Sequence, residues 1–350
     1  MLPTATPRTI PGAAIASYDG TGHHREQEVT VNALLDVLGV DLPIVQAGMG
    51  GGIADHQLAA AVSEAGGLGT LGMRGPAALA SEIDAARLLT RKPVAVNLLL
   101  PFLRPGHTEV VRKADVVVTF WGAPTRPGPS TWMHQCGSVD EARAAHAAGA
   151  DAVIVQGVEA GGHVRGRTPA LLLLEQVRAA LPAGYPLLLA GGVADADDVR
   201  AALDAGAAAA VVGTRFLMSV ESRASDGYKE RLVQGDDTVL TELFGLGWPG
   251  THRVLPNAAT DRWLRGDERG PRATRVLNRL TAPILARLPD RSHGLVARLQ
   301  TGAVPSYSPI PPVVGTPDRV LEVSPLYAGE TVARLHDISP AADIVRALAG

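Results

Sequence analysis

The stretch QGVEAGGHVRG, Gln156–Gly166, places an amide, a carboxylate, paired glycines and an imidazole close together. An imidazole with an ordinary pKa of about 6.5 accepts a proton near neutrality, so His163 is the candidate general base. Glu159 has two readings: it pairs with His163, or it accepts backbone N–H bonds inside a tight loop. Asn97 lies within the apolar run VAVNLLL, Val94–Leu100, where a buried amide needs a partner. It either stitches neighbouring strands or reaches the carbonyl and N–H edge of a heteroaromatic ring, and Gln156 has the same two readings. Farther along, the segment Leu187–Phe216 holds two apolar runs, each ending in glycine: Gly191-Gly192 and Gly213-Thr214. Glycine lets the backbone approach a ligand and turns freed N–H groups toward an anion. A plain αβ repeat with glycine caps would also read this way. Tandem glycine turns followed by Thr214 and Arg215 favour a phosphate cradle, and with the two amides they describe a site for a ring bearing a phosphate tail.

Other chemistries find no support. HExxH, a GxSxG elbow and a G-x-G-x-x-G turn between strand and helix are all missing, which argues against zinc hydrolysis, a serine nucleophile and a Rossmann domain. The histidines are scattered, so no metal is expected, and the His23-His24 pair reads as an exposed polar turn. Cys136 is the single cysteine; it excludes an internal disulfide and points to a reducing, cytoplasmic setting. No signal peptide and no apolar run of about 18 residues is seen, so neither export nor a membrane is expected. A net charge of −3 offers no global attraction to nucleic acid. The arginine-rich stretch Arg262–Arg298 reads as surface helices rather than a nucleic-acid grip.

The elements that must position these residues alternate. Apolar runs at Ile44–Ala47, Leu68–Leu71, Val94–Leu100, Val116–Phe120, Thr131–Cys136, Ala152–Val155, Leu187–Ala190 and Ala209–Val212 predict strands buried on both faces. Between them lie helical segments at Asp55–Ala65, Pro76–Leu89, Val110–Ala114, Val139–Ala148, Ala170–Ala180 and after Asp195 or Asp197, either of which can cap. Ala123–Ser130 is too proline-rich for a helix, so the fourth crossover is abbreviated. Eight β/α units in a chain of 350 residues, 46% hydrophobic with 39 glycines, predict an α/β fold, a closed (β/α)8 TIM barrel. The predicted divisions are an arm over 1–29, the barrel over 30–222 and a smaller, mainly helical C-terminal lobe over 223–350. Within the lobe, Pro305–Pro317 is proline-rich and Ala341–Leu348 a final helix.

In order, PIVQAGMGGG (Pro43–Gly52), GGLGTLG (Gly66–Gly72), VNLLLP (Val96–Pro101), QGVEAGGH (Gln156–His163), AGGVADADDVRAALDAGAAAAVVGTRF (Ala190–Phe216) and Tyr327-Ala328-Gly329 resemble the nitronate monooxygenase family. The resemblance implies an FMN-binding TIM barrel. It puts Ala47, Gly48 and Met49 beside the flavin ring and has Asn97 and Gln156 bond the cofactor. Gly161, Gly191, Gly192, Val211, Val212, Gly213 and Thr214 would surround its phosphate, and His163 would match the catalytic base. The implied reaction is oxidation of an alkyl nitronate or nitroalkane with O2 to a carbonyl compound and nitrite, by a monomer or homodimer. An FMN-dependent NAD(P)H enoyl-thioester reductase shares these motifs, and a flavin-binding module without turnover is the third reading. Two departures stand out. Gly48 replaces a common proline, which predicts a wider pocket over the flavin, and Val164 separates His163 from Arg165, which alters the loop after the base.

Overall fold

The computed structural model describes residues 33–285 and 300–350. The expected arm over 1–29, with its histidine pair, lies outside the described residues, as does part of the arginine-rich stretch. The strands form where short apolar runs can be buried on both faces. They are β1 Ile44–Gln46, β2 Gly69–Leu71, β3 Val94–Leu99, β4 Val116–Phe120, β5 Thr131–Cys136, β6 Ala152–Gln156, β7 Gly162–His163, β8 Leu187–Ala190, β9 Ala209–Val212, β10 Val239–Thr241 and β11 His252–Val254. Eight of them make a parallel sheet in the order β1-β9-β8-β6-β5-β4-β3-β2, and a bridge between Val45 and Leu68 joins its two edges. The chain is therefore a (β/α)8 barrel.

Alternation along each strand separates two cores. Val45, Ala95, Val118, Met133, Ile154, Leu188 and Val211 fill the barrel interior, plugged by Leu34 and Leu38 from a short helix over 33–38. Ile44, Trp132, Val153, Val155, Leu189 and Val212 point outward and pack under the helices. Helix ends obey local chemistry. Asp195 caps the helix Ala196–Asp204 in a reciprocal box with Asp198, and Asp55 caps His56–Glu64. The fourth crossover, over residues 121–130, carries no helix, as its prolines require. The third is a single turn, His107–Val110, continued by a 3-10 turn over Val111–Lys113, a little earlier than the sequence suggests.

Two features depart from the expected divisions. The helix Ala341–Ala349 buries Ala341, Ile344, Val345 and Leu348 in the barrel's outer core and packs between the helices His56–Glu64 and Ala196–Asp204. The barrel layer thus takes its last helix from the chain's end, and a boundary at 222 cuts through it. The intervening segment leaves and returns at one place: Val220 N–H donates to the Ser339 carbonyl at 3.0 Å. That segment is also not helical alone. β10 and β11 pair antiparallel, and β11 takes up β7, with His252 opposite His163. A two-residue strand has no periodicity to read, so this small sheet was invisible in the sequence.

Candidate functional site

A cavity of about 630 Å³ opens at the carboxyl ends of the barrel strands, the end where the loops of such barrels carry chemistry. Ala47, Gly48 and Met49 after β1, Asn97 in β3, Gln156 at the end of β6, Gly161 in the following loop, His163 in β7, Gly191 and Gly192 after β8, and Val211, Gly213 and Thr214 at β9 all line it. Val212 is not among them. Strand alternation turns its side chain into the helix-covered core, and its carbonyl accepts the Ala47 N–H at 2.9 Å.

One end of the cavity is a backbone cradle. Gly191 and Gly192 turn at φ +105° and +77°, a region that L side chains rarely enter. Neither N–H is taken by another described protein group. Gly161 lies so close to the Ala328–Gly329 peptide that a Cβ would stand 2.6 Å from it. Gly329 N–H in turn donates to Thr214 Oγ1 at 2.9 Å, tying the loop after β9 to the returning chain. Glu159 takes the second of its two readings. Its carboxylate accepts the Ala170 N–H at 3.0 Å, at the start of the helix Ala170–Ala180. Beneath it the Arg253 guanidinium bonds the Val158 carbonyl at 2.8 Å and pairs with Glu330 at 2.7 Å.

Along the side of the cavity stand the two amides. Asn97 Nδ2 donates to the Gly48 carbonyl at 3.2 Å. A Cβ at position 48 would lie 2.2 Å from Asn97 Cβ, so the missing side chain does not widen the pocket: Asn97 fills that space. Gln156 clamps its own loop, donating to the His163 carbonyl at 2.9 Å and accepting from Arg165 N–H at 3.2 Å. Val164 is buried, its N–H bonded to the Thr251 carbonyl at 2.8 Å, so the loop after His163 follows the lobe sheet. The outer wall comes from Pro309, Ile310 and Pro311, with Arg74 and Arg104 nearby.

His163 stands in an aromatic nest. Its ring stacks on Trp248 at 3.5 Å and 8°, meets Trp121 edge-on at 5.7 Å, and lies 5.1 Å from His252. It is 8% exposed, and Nε2 has no hydrogen-bond partner among the described residues. Burial, with the neighbouring His252, holds its pKa well below 6.5, so the ring is neutral at pH 7 and Nε2 can act as an acceptor. Trp121 has φ +65°, the one non-glycine residue among those described with positive φ. That strain, at the end of β4, sets its indole against His163 and under the Arg165 guanidinium at 4.9 Å. Neither Trp121 nor Trp248, which comes from a separate loop, stands out in the sequence as a site residue, because long-range contacts bring them to His163.

Burial also pushes His134 and His252 down to about 4. A histidine with a depressed folded pKa binds protons more tightly when unfolded, so stability falls as pH drops from about 6.5 toward 4. Each such ring adds up to about 1.4 kcal/mol per pH unit to that slope. The denaturation midpoint should therefore fall steadily between pH 7 and 4.5; a flat midpoint over that range would contradict neutral burial of these rings.

The cavity fits a flavin. It offers glycine-turn N–H groups at one end for a phosphate, amides along one side for a ring, and on its wall an imidazole whose buried Nε2 is unpartnered among the described residues. Among the described residues no cluster of three or more His, Cys, Asp or Glu could hold a metal, and no helix is long and apolar enough to cross a membrane.

The sequence profile of the family described as nitronate monooxygenase matches residues 32–119 and 130–349. A (3aS,4S,5R,7aS)-5-hydroxy-7a-methyl-1-oxo-octahydro-1H-indene-4-carboxyl-CoA dehydrogenase of Mycobacterium tuberculosis is 35% identical over 235 residues, 63% of this chain. The match spans 65% of that relative, a little under two thirds of its length. Among solved structures, FabK from Thermotoga maritima superposes with TM-score 0.70 at 29% identity, covering 90% of this chain and 94% of that one. A nitroalkane oxidase from Streptomyces ansochromogenes gives TM-score 0.69 at 31% identity, covering 90% and 96%.

Proposed function

We propose, for a chain that belongs to the nitronate monooxygenase family, that it uses FMN and O2 to oxidise an alkyl nitronate or nitroalkane to a carbonyl compound and nitrite. The observation that carries this reading is His163: a neutral, buried imidazole whose Nε2 has no hydrogen-bond partner among the described residues, on the wall of a cavity with a glycine cradle. The loops at Gly191-Gly192 and Gly213-Thr214, closed by Gly161 and Gly329, would hold the single phosphate of FMN. Ala47–Met49, Asn97 and Gln156 would border its ring, and Val211 would face it from the barrel interior. When bound, the flavin supplies the electron chemistry between substrate and O2. The protein's own part is placement and a proton. His163 Nε2 takes the α-proton of a neutral nitroalkane, or stays beside the nitro group when the proton is already gone. The aromatic wall keeps water away from that transfer.

A second reading, reduction of an enoyl thioester by NAD(P)H, gains support from the CoA-thioester relative and from Arg74 and Arg104 at the cavity's outer end, where a phosphate-bearing tail would enter. A flavin-binding module without turnover is the third. One experiment separates them. Anaerobic mixing of the yellow holoprotein with a nitronate should bleach the flavin rapidly, whereas NADH or NADPH alone should bleach it slowly. With O2 admitted, nitrite should accumulate over many turnovers. Fast bleaching by NAD(P)H with no nitrite from a panel of nitronates would establish the reductase instead. No bleaching by either donor would leave the binding module.

A further inference from the structure

The loop FGLGWPG, Phe244–Gly250, is shaped to deliver one side chain. Gly247 turns at φ +81°, Trp248 N–H closes a turn onto the Gly245 carbonyl at 3.0 Å, and Pro249 restricts the backbone of Trp248 itself. Gly250 then passes so close to Trp121 that a Cβ there would lie 2.6 Å from its indole. The Trp248 ring is thereby fixed on three sides: face-on to His163 at 3.5 Å, edge-on to Trp121 at 5.4 Å and edge-on to Phe102 at 5.3 Å. Such rigidity leaves little freedom for the ring to seek a hydrogen-bond partner. Its Nε1 is buried and has none among the described residues.

A buried indole N–H without an acceptor is costly and uncommon. Here it occurs on the ring stacked against His163, whose Nε2 is also unpartnered, and both residues line the same cavity. One atom can only donate; the other, in a neutral ring, can accept. A planar group that presents an oxygen beside an acidic carbon would satisfy both at once. We infer that Trp248 is a substrate-binding residue, its indole N–H donating to an oxygen of the nitro or nitronate group while His163 faces the adjacent α-carbon. This rests on the nitronate reading above. It adds a specificity element: the pocket selects a flat, oxygen-bearing head group, and the ring stack fixes its orientation relative to the base.

The test compares holoprotein variants. Trp248→Phe keeps the stack and deletes the donor. It should raise KM for a nitronate about threefold to tenfold, the worth of one net hydrogen bond, with flavin content unchanged. Binding of propionate, an unreactive planar anion, read from the flavin absorbance change, should weaken by the same factor. Trp248→Leu also removes the stack, so water reaches the imidazole and the acid limb of the nitroalkane pH profile should move up toward the ordinary histidine value. Propionate affinity and KM within twofold of wild type in Trp248→Phe would overturn the inference, as would loss of flavin from that variant, which would make the indole a scaffold residue. Failure of the wild type to turn over nitronates would overturn the parent reading instead; the propionate titration still reports on Trp248.

Discussion

Replacing His163 by asparagine should lower turnover of a neutral nitroalkane by about 10²–10⁴-fold, the usual worth of a positioned general base. The same variant should lose far less on a preformed nitronate, whose α-proton is already gone. The split follows from the site: the ring is buried and neutral, and Nε2 has no hydrogen-bond partner among the described residues. Since burial depresses the histidine, the wild-type acid limb on nitroalkane should lie below pH 6.5, and it should vanish in His163→Asn. Initial rates of nitrite release on both substrates across pH 5–8 decide the matter. Equal losses on the two would assign His163 to binding alone.

Gly161→Ala should strip the protein of most of its flavin. The added methyl would meet the Ala328–Gly329 backbone at 2.6 Å, and backbone cannot rotate aside as a side chain can. Relief requires the returning chain to retreat, which pulls Gly329 from Thr214 and opens the cradle. Overpacking of this kind costs about 1–3 kcal/mol, equivalent to a roughly 5–150-fold weaker FMN affinity when the strain falls on the bound state. Fluorescence titration of the apoprotein with FMN measures it, with a thermal melt to show that the barrel persists. Wild-type affinity in this variant would mean that the phosphate end lies elsewhere in the cavity.

Much of the barrel was legible because its strands are buried on both faces, so that runs such as LLLA, Leu187–Ala190, and AAVV, Ala209–Val212, need no partner to be recognised. Glycines bordering the cavity, such as Gly48, Gly191 and Gly213, were legible for a related reason, since they sit where an apolar run stops, whereas Asn97 stood out as a polar residue inside such a run. The nest around His163 was not. Trp248 and His252 are brought to it by the pairing of β7 with β11, a long-range contact with no trace in local periodicity. The outcome at Glu159 depended on whether the Ala170 N–H lay nearer than the imidazole, and spacing alone does not decide that. The Gly48 expectation failed because space opened by a missing side chain was taken up by Asn97, a neighbour in three dimensions only.

The late helix Ala341–Ala349 has a consequence for how the molecule is made. The lobe is spliced into the last β/α unit, its two ends clasped where Val220 meets Ser339. A ribosome therefore releases all eight barrel strands well before the helix that covers the seam between His56–Glu64 and Ala196–Asp204. At about 5–20 residues per second the intervening ~120 residues take roughly 6–24 s to synthesise. During that interval the seam is bare, and its apolar groove is the surface a chaperone or a neighbouring nascent chain would meet first.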